Sequence, residues 1–118
     1  MATNNPPPEG TSGSDIVNVS DWDACYNSLE NIIALSCAVT TKDSSATISA
    51  VGLLLNNEVG ETLGATYTEF SSDSESASPA LNLPPSGISV GDTVMGVVDG
   101  EVDGQHFFFE QQLTVGTC

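Results

Sequence analysis

The chain has no arginine and one lysine, Lys42, against 16 aspartates and glutamates, for a formal net charge of -15 over 118 residues. A phosphate-binding surface needs clustered Lys or Arg, so nucleic acid is excluded as a partner. Docking to an anionic membrane surface is excluded for the same reason. No apolar run reaches the ~18–20 residues of a membrane-spanning helix. There is one histidine, His106, and no CxxC pair, too few ligands for a zinc site of ordinary spacing. Three cysteines, Cys25, Cys37 and Cys118, are too few for a disulfide scaffold and leave at least one thiol outside any intrachain pair. No cofactor is expected.

What is present is enough for one domain. Hydrophobic residues make up 39% of the chain, which supports a core and argues against wholesale disorder. The acidity reads first as solubility, since self-repulsion keeps a Ser/Thr-rich surface dispersed. Adaptation to salt and cation binding are the other readings.

Residues 1–14 carry three consecutive prolines, Pro6, Pro7 and Pro8, among Gly, Ser, Thr and Asn. That composition favours an extended polyproline arm. The opening residues lack a basic and an apolar region, so they are no secretory signal peptide, and Met1-Ala2 reads as a natural start. From Asp15 the chain turns apolar in short bursts. Strands are expected at 15–20, 31–40, 47–55 and 64–70, with Ile33, Leu35, Cys37 and Val39 on one face of the second. Residues 21–28 read as a loop or one helical turn, and the stretch from 23 to 35 is where a helix competes. Residues 71–78 read as an exposed acidic loop. Strand-like Leu81 and Leu83 follow, then the runs 93–102 and 105–115. Asp103-Gly104 between those runs is a strong hairpin signal, because a type I′ turn needs positive φ at both central residues.

About seven short strands with regular turn signals predict an all-β fold, a two-sheet antiparallel sandwich over 15–118 behind an extended arm at 1–14. A jelly roll or small barrel is the alternative. The strands at 32–39 and 48–55, the closing hairpin at 94–115 and the lead-in Gly91-Asp92-Thr93-Val94 resemble immunoglobulin-like modules of bacterial and viral surfaces. The antibody pattern of Cys, Trp and Cys is absent, because Trp22 precedes the second strand. In a sandwich whose first and last strands run parallel, Cys25 and Cys118 share a pole. Where the chain is oxidised, their disulfide is therefore expected, with Cys25–Cys37 across the first hairpin as the competitor.

Residues 99–110 match the calcium-loop template D-x-[DN]-x-[DN]-G-x5-E except at Glu101. The flanks are β-rich, where an EF-hand needs helices. In a hairpin centred on Asp103-Gly104, Glu101 faces His106 and Asp99 faces Phe108. Glu110 then lies opposite Val97, ~20 Å from the turn. No metal site is expected, and Asp99, Glu101 and Asp103 are the loose alternative.

Phe107, Phe108 and Phe109 in succession must place a ring on each face of a sheet, so one face presents a ring to a partner or buries it outside the core. A nucleophile paired with a base is not visible: Cys37 reads as a buried hydrophobe and His106 as a strand residue. Sixteen carboxylates leave room for a glycosidase pair, but such sites sit in aromatic-lined clefts and the chain has only one Trp, two Tyr and four Phe. The expectation is a non-catalytic structural or assembly module, such as a viral capsid decoration protein or a filament subunit. Its protein contacts would be Pro6, Pro7, Pro8, Phe107, Phe108 and Phe109, and its place a virion surface or the extracellular space. The alternative is an immunoglobulin-like adhesion module from a larger surface protein.

Overall fold

A computed structural model describes residues 12–69 and 75–118. Nine strands form among them: β1 (Val17–Asn27), β2 (Ile32–Thr41), β3 (Ile48–Asn56), β4 (Thr62–Glu69), β5 (Ser76–Ala77), β6 (Ala80–Leu83), β7 (Thr93–Val102), β8 (Gln105–Thr114) and β9 (Gly116–Thr117). No helix occurs among the described residues. One sheet runs β5-β2-β1-β9, with β6 on the same side of β2 as β5. The other runs β4-β3-β7-β8. Counting β5 and β6 as one interrupted edge strand, and β9 as the continuation of β8, leaves the seven strands expected.

The core follows from period-two patterning. Ile33, Leu35, Cys37 and Val39 of β2 are all buried and face Val51, Leu53 and Leu55 of β3 and Val94, Val98 and Val102 of β7. The chain changes sheets after β2, β4, β6 and β8, and among the described residues the connecting loops lie at two poles. Residues 42–47 and Asp103-Gly104 mark one pole. Residues 28–31, 57–61, 84–92 and Cys118 mark the other.

Two local readings of the sequence need correction. Residues 21–27 are neither a loop nor a helical turn but the second half of β1. The register with β2 shifts between Ser20 and Asp23, and Asp21 takes a φ of 56°. One extra residue in β1 reverses the parity of everything after it. Before the bulge Val17 and Val19 point inward; after it Ala24 and Tyr26 do. The displaced Trp22 ring crosses to the other sheet, where a Cβ on Gly96 would meet it at 2.6 Å. The second correction concerns the arm. Of residues 1–14, the last three belong to the folded unit. Ser12 N–H donates to Phe108 O at 2.8 Å and Phe108 N–H to Ser12 O at 2.9 Å, while Gly13 O accepts from Val17 N–H at 3.1 Å. Pro6, Pro7 and Pro8 lie outside the described residues, as do residues 71–74 of the expected acidic loop and residue 70 at the end of the expected fourth strand. Residues 76 and 77 of that loop pair with β2 as β5.

The β7–β8 hairpin has the expected register, with Glu101 opposite His106, Asp99 opposite Phe108 and Val97 opposite Glu110. Asp103 and Gly104 take φ of 49° and 82°, the left-handed values a type I′ turn demands. Thr47 ties this turn to the β2–β3 connection, accepting from Asp103 N–H at 3.1 Å and donating to Asp103 Oδ1 at 3.2 Å.

Candidate functional site

The phenylalanine triplet divides as parity requires. Phe107 is wholly buried and Phe109 packs partly buried beside it, with ring centroids 6.3 Å apart at 62°. Phe107 is thereby corrected from a partner contact to a core residue. Its ring lies over Gly100 on the neighbouring strand, where a Cβ would come within 2.8 Å of the ring. Only Phe108 turns to the outer face of the four-stranded sheet. There a cross-strand row runs Tyr67, Gly52, Asp99, Phe108 and Ser12. Asp99 Oδ1 lies above Gly52, filling the notch left by the missing side chain. Its Oδ2 is 3.9 Å from His106 Nε2. Tyr67 stands exposed at the far side of the row. This face therefore offers one free ring and one half-covered ring, less than the triplet promised.

The carboxylates of the calcium-like loop are dispersed. Asp99 and Glu101 lie along β7, whereas Asp103 is engaged by Thr47 at the turn. Glu110 sits opposite Val97, far down β8. Among the described residues no group of three or more His, Cys, Asp or Glu side chains is placed to hold a metal ion.

Cys25 and Cys118 form a disulfide with Cα atoms 5.0 Å apart, joining positions 93 residues apart. The β1 bulge explains the choice of partner. Without it Cys25 would share the inward parity of Val17 and Val19. With it Cys25 points away from the core, where β9 runs parallel to β1 and Cys118 N–H donates to Tyr26 O at 3.1 Å. Cys37 stays inside as a free thiol, on the opposite face of the sheet. Burial pushes the Cys37 thiol up to about 12. It is no nucleophile at neutral pH.

That shift fixes an alkaline limit. The folded thiol stays neutral while the unfolded one ionises from its ordinary value of 9.0. Its contribution to stability is complete below pH 9 and is lost as the pH rises from there toward about 12. The expected slope is on the order of 1 kcal/mol per pH unit. Melting curves between pH 8 and about 11 check it: Cys37→Ala should lose less stability over that range than the parent chain. Equal slopes would show that Cys37 ionises freely in the fold.

A third feature was not read from the sequence. Among the described residues, the large apolar side chains left exposed are Leu29, Val59, Tyr67 and Val90. All but Tyr67 sit on loops at the pole that carries Cys118. Each loop is clamped by a polar side chain. Asn27 Oδ1 accepts from the N–H of Leu29 at 3.0 Å and of Glu30 at 3.2 Å. Asn57 Oδ1 does the same for Val59 at 3.1 Å and Glu61 at 2.9 Å. Asp92 Oδ2 accepts from Ser89 N–H at 2.9 Å, closing the turn that carries Val90. The repeated pattern of Asn followed two residues later by an apolar residue (Asn27-Ser28-Leu29 and Asn57-Glu58-Val59) was the available signal.

No family model matches the chain, and no curated protein sequence does. Solved structures match its fold. A DUF3823 family protein from Bacteroides ovatus superposes with a TM-score of 0.55 at 14% identity, over 87% of this chain and 56% of that one. Wild-type OgpA from Akkermansia muciniphila gives 0.53 at 12% identity, over 94% of this chain and 30% of that one. Catalytically inactive OgpA, solved with an O-glycopeptide substrate, gives 0.54 at 11% identity, over 94% and 31%. This chain therefore spans about half the length of the first and under a third of the others, and at these identities the likeness is one of fold.

Proposed function

We propose that the chain is a non-catalytic immunoglobulin-like module that works by protein contact within a larger assembly, outside the reducing cytosol. The strand order supports the immunoglobulin-like assignment: β1-β2-β6 against β4-β3-β7-β8 follows the A-B-E and C′-C-F-G arrangement of that class. The observation that carries the functional reading is the disulfide joining the first strand to Cys118, a bond that persists in oxidising compartments. The chemistry of the described side chains points the same way. The one free thiol is buried and neutral, and His106 lies 3.9 Å from Asp99 on an open sheet face. A capsid decoration protein or filament subunit on a virion fits this description.

The second reading is an extracellular adhesion module of a larger surface protein. It is favoured by the structural relatives, in which this fold occupies 56% or less of the chain. A parent gene with further domains would distinguish it from the first.

The test uses the full chain, tagged and expressed from its own gene. After alkylation of free thiols, it should co-fractionate with a species far larger than its own 12.2 kDa, with Cys25 and Cys118 unlabelled. A free monomer carrying three labelled thiols would overturn the proposal.

A further inference from the structure

We propose that the pole carrying Leu29, Val59 and Val90 is a preformed docking surface for a protein partner whose apolar contact patch is ringed by Lys and Arg. The proposal rests on the binding-module reading above and names the surface and the partner's chemistry.

The three tips are fractionally exposed by 96%, 80% and 51%, while the rest of the described surface leaves only Tyr67 as a comparable apolar side chain. Val59 and Val90 belong to one surface, since half-buried Ile88 lines two hollows, one with each of them, and Leu29 stands at the same pole on the loop between Tyr26 and Asn31, which line the second hollow. One hollow is shared with Asn57 and Val59, and the other, about 310 Å3, with Tyr26, Pro85 and Val90. Exposed apolar side chains cost solubility, and a chain of charge -15 could afford them anywhere. Their collection on three clamped turns is what needs a cause. Rigid turns hold an apolar anchor in place before contact, so little entropy is lost on docking. Apolar anchors inside a polar rim are the anatomy of an interface centre.

Charge selects the occupant. Glu30, Glu58, Glu61 and Asp92 surround the tips, all exposed, and the single lysine, Lys42, lies at the opposite pole. The clamps leave this charge in place: Glu30 and Glu61 accept from the neutral amides of Asn27 and Asn57 at 3.1 and 3.0 Å. A second copy would bring like charges together, and an anionic bilayer would be repelled. A basic-rimmed apolar surface gains on both counts.

The test titrates the isotope-labelled, oxidised full chain with a helical peptide of Leu and Lys, followed by amide chemical shifts. A peptide of Leu and Glu with equal apolar content and phosphatidylcholine vesicles are the comparisons. Shifts should concentrate at residues 27–31, 57–61 and 85–92. The triple variant Leu29→Ser, Val59→Ser, Val90→Ser should bind at least about tenfold more weakly with an unchanged melting transition. Leu29→Ser alone, at the most exposed tip, should show part of that loss if the triple variant folds poorly. Added salt should weaken binding without abolishing it.

Four results would overturn the proposal. They are shifts spread over all acidic surfaces, an unchanged affinity in the variants, loop shifts with vesicles or the Leu/Glu peptide but not the Leu/Lys peptide, and self-association of the chain through these tips. If the variants still join the large complex with the disulfide intact, this pole is not the docking site, while the module reading stands.

Discussion

Replacing Cys118 with serine is expected to lower the stability of the sandwich by about 3–5 kcal/mol and its melting temperature by roughly 10–20 °C. The bond ties positions 93 residues apart, so nearly the whole unfolded chain is constrained by it. Loop-closure entropy grows with that length, which places this bond near the upper end of the usual range. The native state gives it local work as well. β9 pairs with β1 over only two positions, Cys25 with Gly116 and Tyr26 with Thr117. Such a short parallel contact is marginal alone, and the covalent tie holds it against fraying. Val115 just before it is buried, and Val115 N–H donates to Asp92 O at 2.9 Å. Loosening the end therefore also loosens the turn that carries Val90. Cys25→Ser should match Cys118→Ser, and the double variant should be no worse than either, because one bond is lost in each case. The unfolding slope in urea should rise as the unlinked chain expands more fully. A Cys118→Ser chain that melts within about 2 °C of the parent would show that the bond contributes nothing to the fold.

What could be read from the sequence divides along physical lines. β2 was legible because one face is buried along its whole length, so the alternation of Ile33, Leu35, Cys37 and Val39 survives intact. The closing hairpin was legible because Asp103 and Gly104 carry a backbone requirement that few dipeptides meet. The second half of β1 was not. A bulge has no residue-type signature of its own, and Asp21-Trp22-Asp23 looks polar and loop-like until the indole finds Gly96 on the other sheet. The consequence reached the cysteines: their pairing was anticipated from the shared pole, but the parity that points Cys25 away from Cys37 comes from the bulge. The docking pole was missed because Leu29, Val59 and Val90 are single apolar residues in three separate loops, 30 or so residues apart, and only the fold's alternation between poles gathers them.

The phenylalanine triplet carries the other large prediction. The sequence showed that the middle ring must oppose its neighbours, but not which side faces the core. Gly100 decides it. It lies opposite Phe107 across the hairpin, and its missing side chain leaves the space that ring occupies. Phe107→Ala should therefore cost about 3–5 kcal/mol, the range for deleting a buried ring whose surroundings collapse only in part. Phe109, in edge contact with it, limits that collapse. Phe108→Ala, on the outer face, should cost under about 1 kcal/mol. Guanidinium unfolding of the two variants measures the contrast. Equal costs would mean that β8 is shifted by one residue against β7, since a slip of one exchanges the two faces. Gly100→Ala separates space from register. Its Cβ would press on the Ala50 carbonyl of β3 more closely than on the Phe107 ring. Shortening Phe107 to alanine removes only the lesser obstacle. The Gly100→Ala substitution should then remain destabilising in the Phe107→Ala background, and a full rescue there would show that the ring alone holds that site closed.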